Sequence, residues 1–291
     1  MPSPIESKIN ISGFVESRQG GRSENQDFAG AAETPLGTLV VVCDGMGGMQ
    51  GGSTASRLAV TDILSQVQKC DSQENPKMML VKAIQHANSL VWDEGQENPE
   101  LHGMGTTVTA LLISPRCAVV AHVGDSRIYQ LRKGKKVFRT FDHSMVFEMV
   151  KKKVITEEQA RLSAQSNIIM RALGIKPEVE VETAALSYRK GDRFVLCTDG
   201  FWGVFPEMEF IGYLSSDNTP DKILESTCNT VETAARKKGG DYDNLTAAII
   251  EMKQNSTLQP QMTLMAKVII GILAILLAVS VTLNVIQYTG H

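Results

Sequence analysis

Short apolar runs at Leu39–Cys43, Thr106–Ile113, Ala118–Val123, Arg127–Leu131, Phe194–Cys197 and Leu245–Ile250 read as β-strands. Between them, Ser53–Gln68 and Lys77–Trp92 carry apolar residues at helical spacing. Thr156-Glu157-Glu158-Gln159 has the form of a capping box. Thr219-Pro220 sets an N-cap residue before a proline, so a helix opens there and runs to about Arg236. The turn Gly124-Asp125-Ser126 is too short to join parallel neighbours, which need a crossover of about a dozen residues. The order of strands, two helices, strands, helices and strands predicts an α+β fold with antiparallel sheets and helices outside. One domain is expected over residues 1–253.

Beyond that body the pattern changes. Residues 254–266 begin with the polar stretch QNSTLQPQ and read as a linker. Val268–Ile286 is uncharged and apolar on every face. Nineteen residues give roughly 28 Å of helix against a hydrocarbon core of about 30 Å, so a transmembrane helix is expected over 267–287, with 288–291 as a short tail. Lys253 and Lys267 precede the span and no Lys or Arg follows it, which holds the body in the cytoplasm. The expected location is the inner membrane, single-pass. No apolar run follows Met1, which speaks against a cleaved signal peptide.

Composition narrows the function. With 29 Lys and Arg against 32 Asp and Glu, the formal charge is −3, which argues against a nucleic-acid binder. The five cysteines show no C-x-x-C spacing and suit reduced thiols. The five histidines show no metal-ligand spacing.

The candidate chemistry lies in a near-repeat. LVVVCDG over 39–45 and FVLCTDG over 194–200 are apolar strands ending in Asp-Gly. Asp241-Tyr242-Asp243-Asn244 leads into a third strand, and Asn25-Gln26-Asp27 follows a Gly/Ser-rich stretch. One Asp-Gly marks a turn. Several carboxylates at the rim of a core repel and take up protons unless a cation sits among them. An oxygen-only ligand set suits Mg²⁺ or Mn²⁺. The glycine loop Asp44-Gly45-Met46-Gly47-Gly48 is no P-loop, since no Gly-Lys-Ser/Thr follows. Arg22, just before Asn25, is open to two readings: a structural ion pair or the bidentate partner of a phosphate.

In chain order, the pieces Arg22-Ser-Glu-Asn-Gln-Asp27, Val42-Cys-Asp-Gly-Met-Gly-Gly48, Gly105-Thr-Thr107, Val123-Gly-Asp-Ser-Arg127, Asp142-His-Ser144, Arg171-Ala-Leu-Gly174, Cys197-Thr-Asp-Gly200 and Asp243-Asn-Leu-Thr246 resemble the metal-dependent protein phosphatases of type 2C, most closely the bacterial members. The resemblance implies a four-layer α/β/β/α sandwich of two antiparallel sheets flanked by helices. It implies two Mn²⁺ or Mg²⁺ ions, with a weaker third. Asp44 would bridge the ions, Gly45 would offer its carbonyl, and Asp199 and Asp243 would complete the first ion's shell. Asp27 would sit at the second ion, Asp125 would help hold the third, and Arg22 would bind the phosphate. Asn244 and Thr246 would set the Asp243 loop. The implied reaction is hydrolysis of phosphoserine or phosphothreonine by a metal-activated water, without a covalent phosphoenzyme. The implied partners are phosphorylated Ser/Thr proteins of a cognate kinase; the membrane as a tether is expected from the apolar run, and no nucleic acid from the charge balance.

Two departures stand out. Met46 occupies the position of a histidine found in many eukaryotic members. Gln26 stands where some members have Glu, so Asp27 is placed at the site instead. Met145–Ser166 falls in the family's variable flap, and its Lys151-Lys152-Lys153 run reads as a solvated face that could steer an acidic phosphopeptide. A catalytically silent binding module on the same fold is the competing function, and a phosphatase of anti-sigma-factor antagonists a variant of the first.

Overall fold

The apolar runs pair into two antiparallel sheets. The strands are β1 (Ser3–Pro4), β2 (Ile11–Arg18), β3 (Asp27–Thr34), β4 (Gly37–Met46), β5 (Gly105–Thr106), β6 (Val108–Ile113), β7 (Ala118–Val123), β8 (Arg127–Arg132), β9 (Lys135–Arg139), β10 (Glu182–Leu186), β11 (Arg193–Cys197) and β12 (Leu245–Met252). One sheet runs β1-β2-β12-β11-β8-β9 and the other β10-β7-β6-β4-β3, with β5 beside β4. The helices are α1 (Gly51–Gln68), α2 (Pro76–Glu97), α3 (Met145–Lys151), α4 (Glu157–Arg161), α5 (Asp199–Trp202), α6 (Glu207–Leu214) and α7 (Pro220–Lys237). This computed structural model describes residues 1–258 apart from Met49, Ser166, Asn167, Lys238, Gly240 and Asp241.

Strand periodicity sorts the side chains into layers. On β12, Ala248, Ile250 and Met252 join Val40, Leu111 and Phe194 in the core between the sheets. Leu245, Ala247 and Ile249 alternate with them and pack under Phe210, Leu224 and Val231 of α6 and α7. Both faces of the central strands are buried, so they read as continuous apolar runs rather than as alternating ones. On the other side α1 packs across β3 and β4, and α2 packs on α1. That approach needs Gly30, where a Cβ would stand 2.8 Å from Leu64 Cδ1. The four-layer α+β sandwich is therefore present.

The strand read at Thr106–Ile113 is broken at Thr107. Its amide donates to the Asp44 carbonyl at 2.8 Å, and its hydroxyl accepts from the Asp44 amide at 3.0 Å. Thr107 stays opposite Asp44 in the register of the flanking pairs, and the ladder is interrupted because the Asp44 amide donates to the Thr107 hydroxyl instead of to its carbonyl. Residues 255–257, inside the predicted linker, bond back to the body: the Ser256 amide reaches Tyr188 O at 2.9 Å and the Thr257 amide reaches Pro115 O at 3.0 Å. Met1–Thr257 form one compact unit. The span predicted over 267–287 lies outside the described residues, and among those no helix is long and apolar enough to cross a membrane.

Candidate active site

Five aspartates reach one end of the sandwich from separate elements. Asp27 opens β3, Asp44 lies near the end of β4, and Asp125 sits in the turn between β7 and β8. Asp199 begins α5 directly after β11, and Asp243 precedes β12. The register of β3 and β4 sets Asp27 directly opposite Asp44, an arrangement of like charges that destabilises a sheet. β11 and β12 are neighbours, which brings Asp199 to Asp243. The close approach requires Gly200: a Cβ there would lie 2.1 Å from Asn244 O and 3.0 Å from Asp243 Cβ. The Asp-Gly pairs thus mark strand ends that meet. Asp241, the first residue of the third acidic motif, lies outside the described residues.

These carboxyls disturb one another. Burial pushes Asp27 up to about 7, with the charges of Asp199 and Asp243 adding to it. Burial and then the charge of Asp243 push Asp199 up to about 6. Asp44 is raised well above the usual carboxyl range, first by burial and then by the charges of Asp27, Asp199, Asp125 and Asp243. Asp125 is raised likewise, by burial, Asp199 and Asp142. Oδ1 of Asp27, of Asp125 and of Asp199 is buried without a hydrogen-bond partner. Buried, unpaired oxygens among crowded carboxyls fit a hard divalent cation, which would supply both the missing charge and the missing partner.

A web of neutral groups fixes the carboxyls in place. Thr198 donates its hydroxyl to Asp27 Oδ2 at 2.9 Å and accepts from the Thr246 amide at 3.1 Å. Thr246 shares a 2.7 Å hydrogen bond with Ser17, which accepts from Asn25 at 2.9 Å. Asn244 accepts from the Gln26 amide at 2.8 Å and donates to Gln19 O and Glu24 O at 2.7 and 2.9 Å. It thereby stitches the segment carrying Arg22 to the Asp243 loop, the setting role expected of it. Thr198, Thr107 and Trp202, whose Nε1 donates to Asp125 O at 3.2 Å, received no role from the sequence. The position of Thr198 directly before Asp199 was the available signal for one of them.

Gly45 is a packing requirement, since a Cβ would stand 2.0 Å from Gly52 O and 2.6 Å from Gln26 O. The side-chain oxygen of Gln26 lies against Gly52 at the start of α1, within 2.6 Å of where a Cβ would be. Arg22 makes a two-point contact with Asp243, Nε to Oδ1 at 3.2 Å and Nη2 to Oδ2 at 3.1 Å, with both side chains about half exposed. Of the two readings left open for Arg22, the ion pair is therefore present, and it holds the guanidinium at the rim of the cluster. A cleft of about 300 Å³ opens beside Asp125, Asp199 and Asp243, walled by Phe147, Trp202 and Tyr242. A larger cleft of about 570 Å³ around Arg171 is lined by none of the five aspartates.

Residues 16–247 match the family described as Protein phosphatase 2C. The chain belongs to the protein phosphatase 2C family. It is 34% identical over 234 residues to the serine/threonine phosphatase stp of Listeria innocua, covering 79% of this chain and 91% of that one. The solved serine/threonine phosphatase of S. agalactiae superposes with a TM-score of 0.74 at 32% identity, covering 83% of this chain and 99% of that one. The catalytic domain of the serine/threonine phosphatase PstP, solved in complex with two manganese ions, gives a TM-score of 0.67 at 28% identity, covering 83% and 97%. The chain is accordingly a protein-serine/threonine phosphatase. Within this phosphatase, Met46 at the end of β4 carries no titratable proton for a leaving group.

Proposed function

We propose that this phosphatase removes phosphate from phosphoserine and phosphothreonine side chains with two divalent ions, Mn²⁺ or Mg²⁺. Asp27, Asp44, the Gly45 carbonyl, Asp199 and Asp243 would hold the two, and Asp125 would help hold a weaker third. The observation that carries this reading is the position of buried Asp44 directly opposite Asp27 in the sheet, where burial first and then the charges of Asp27, Asp199, Asp125 and Asp243 raise its pKa. The unpartnered oxygens of Asp27, Asp125 and Asp199 support it, as does the two-manganese complex of PstP. When bound, the ions supply a water acidic enough to act as nucleophile and positive charge against the phosphoryl oxygens.

The chain's own residues bind and orient. Thr198 keeps Asp27 turned inward, and the Thr107 hydroxyl anchors the Asp44 backbone. Arg22 stands at the rim on Asp243, where its planar fork suits two phosphoryl oxygens. Phe147 and Trp202 narrow the cleft beside the carboxyls. The apolar run Val268–Ile286 supports a single-pass tether in the inner membrane, with the body in the cytoplasm opposing a cognate Ser/Thr kinase. No observation among the described residues favours the silent-module reading, which has no need of five crowded carboxyls.

The test is hydrolysis of a phosphothreonine peptide by the full-length chain in detergent. Chelator should abolish it and Mn²⁺ or Mg²⁺ should restore it. Undiminished turnover after chelation and dialysis would overturn the ion-dependent reading.

A further inference from the structure

His122, His143 and Glu182 place one donor atom each within 4.8 Å of one another, a spacing that a cation could use. The hydrogen bonds at His143 point elsewhere. The Gly124 amide donates to His143 Nδ1 at 3.1 Å. That fixes Nδ1 as an acceptor, so in the neutral ring the proton sits on Nε2 and faces Glu182 Oε1 at 3.2 Å, while the nearby Arg171 guanidinium, itself only a donor, gives its hydrogen bonds to Glu180. A cation would need Nε2 bare. The ring stacks on His122 with centroids 4.6 Å apart, and His122 Nε2 is itself bonded to Phe141 O at 2.9 Å. The cluster is an orienting device for the His143 ring.

What the ring orients is the Asp125 turn. The His143 amide donates to Gly124 O at 2.9 Å, so both backbone polar groups of Gly124 are taken by this one residue. Gly124 has φ +106, and a Cβ there would lie 2.6 Å from Thr107 Cγ2, so the turn has no latitude to be rebuilt. On its other side, Arg127 pairs with Asp142 through two contacts of 2.8 and 2.7 Å, both residues buried. The dipeptide Asp142-His143 thus brackets Gly124 and Arg127, with Asp125 between them. The next residue, Ser144, caps the first helix of the flap by accepting from the Phe147 amide.

We propose that His143 is a positioning residue: its two-point grip on Gly124 sets the backbone from which the Asp125 carboxylate reaches the ion site, and it links that carboxylate to the base of the flap. This rests on the reading of Asp125 as a ligand of the weaker ion. The test is a calorimetric Mn²⁺ titration of the full-length chain, stripped of metal in detergent, for wild type, His143→Ala, His143→Asn, Asp125→Asn and the double variant Asp125→Asn/His143→Ala.

His143→Ala should weaken the weakest Mn²⁺ step by about 10-fold or more, as loss of an orienting partner does, and leave the tighter steps unchanged. In the Asp125→Asn background the same change should have no further effect. His143→Asn keeps an acceptor for the Gly124 amide. It should restore most of the binding and slow hydrogen exchange at Gly124, which His143→Ala speeds up. Equal losses in both backgrounds, or a weak step unchanged by His143→Ala although Asp125→Asn removes it, would overturn the positioning role alone. A titration untouched by Asp125→Asn would remove Asp125 from the ion set and the proposal with it.

Discussion

Arg22 is the residue at which two roles meet. Its fork lies on Asp243 at 3.1–3.2 Å, yet the side chain stays half exposed at the cleft rim. If it receives the phosphoryl group, Arg22→Ala lowers kcat/KM by about 1.5–3 kcal/mol, the scale of a hydrogen bond to a charged group, with unchanged Mn²⁺ affinity. Steady-state kinetics beside an Mn²⁺ titration decide it, and weaker metal binding with unchanged turnover per ion would assign Arg22 to the ion pair alone. Thr198→Val is a second check at this scale. It strips Asp27 Oδ2 of a donor and the Thr246 amide of an acceptor, so the melting temperature of the metal-free protein should fall, with a cost of about 1–3 kcal/mol. An unchanged melting curve would mean that water replaces the hydroxyl at both partners.

At the scale of elements, the facing pair on β3 and β4 makes stability depend on pH. In the folded, metal-free protein burial raises Asp27 to about 7 and Asp199 to about 6, from the 3.8 of an ordinary aspartate. A raised carboxyl pKa means that the folded state binds protons which the unfolded chain has released. Its contribution is whole below about pH 4 and is lost as pH rises through about 7. The melting temperature of the stripped protein should therefore decline across that window relative to Asp27→Asn, and saturating Mn²⁺ should remove the decline. Parallel pH profiles for wild type and variant would show that the carboxyls are not crowded in solution.

The elements also differ in how plainly they were written in the sequence. The central strands β4, β6, β7, β11 and β12 bury both faces and stood out as apolar runs. β3 (DFAGAAET) is built of small residues because α1 lies close across it, and β9 (KKVFR) and β10 (ETAAL) lie at sheet edges and mix polar with apolar positions, so none of the three was legible. The five aspartates were legible as motifs. Their convergence is a matter of register and strand order, which no local pattern encodes, and the supporting bonds from Thr198 and Thr107 span 171 and 63 positions of chain.

The whole molecule joins a catalytic body to the apolar run Val268–Ile286. Full-length protein should sediment with membranes and resist alkaline carbonate, since apolar burial is independent of ionic screening, and protease added to spheroplasts should leave the body intact. A truncation should follow Leu258 rather than Lys253, because Ser256 and Thr257 bond to Tyr188 and Pro115. It should be soluble and as active on a small phosphopeptide, whereas full-length protein in the soluble fraction would contradict the tether. The most direct test of the central claim is Asp44→Asn, which keeps the shape of the side chain and removes the charge at the middle of the carboxyl cluster. Mn²⁺ binding and phosphothreonine-peptide hydrolysis should be measured together on the same full-length preparation, with circular dichroism to confirm the fold. The account predicts that Asp44→Asn loses the tight Mn²⁺ steps and the turnover together, while full turnover by that variant would contradict it.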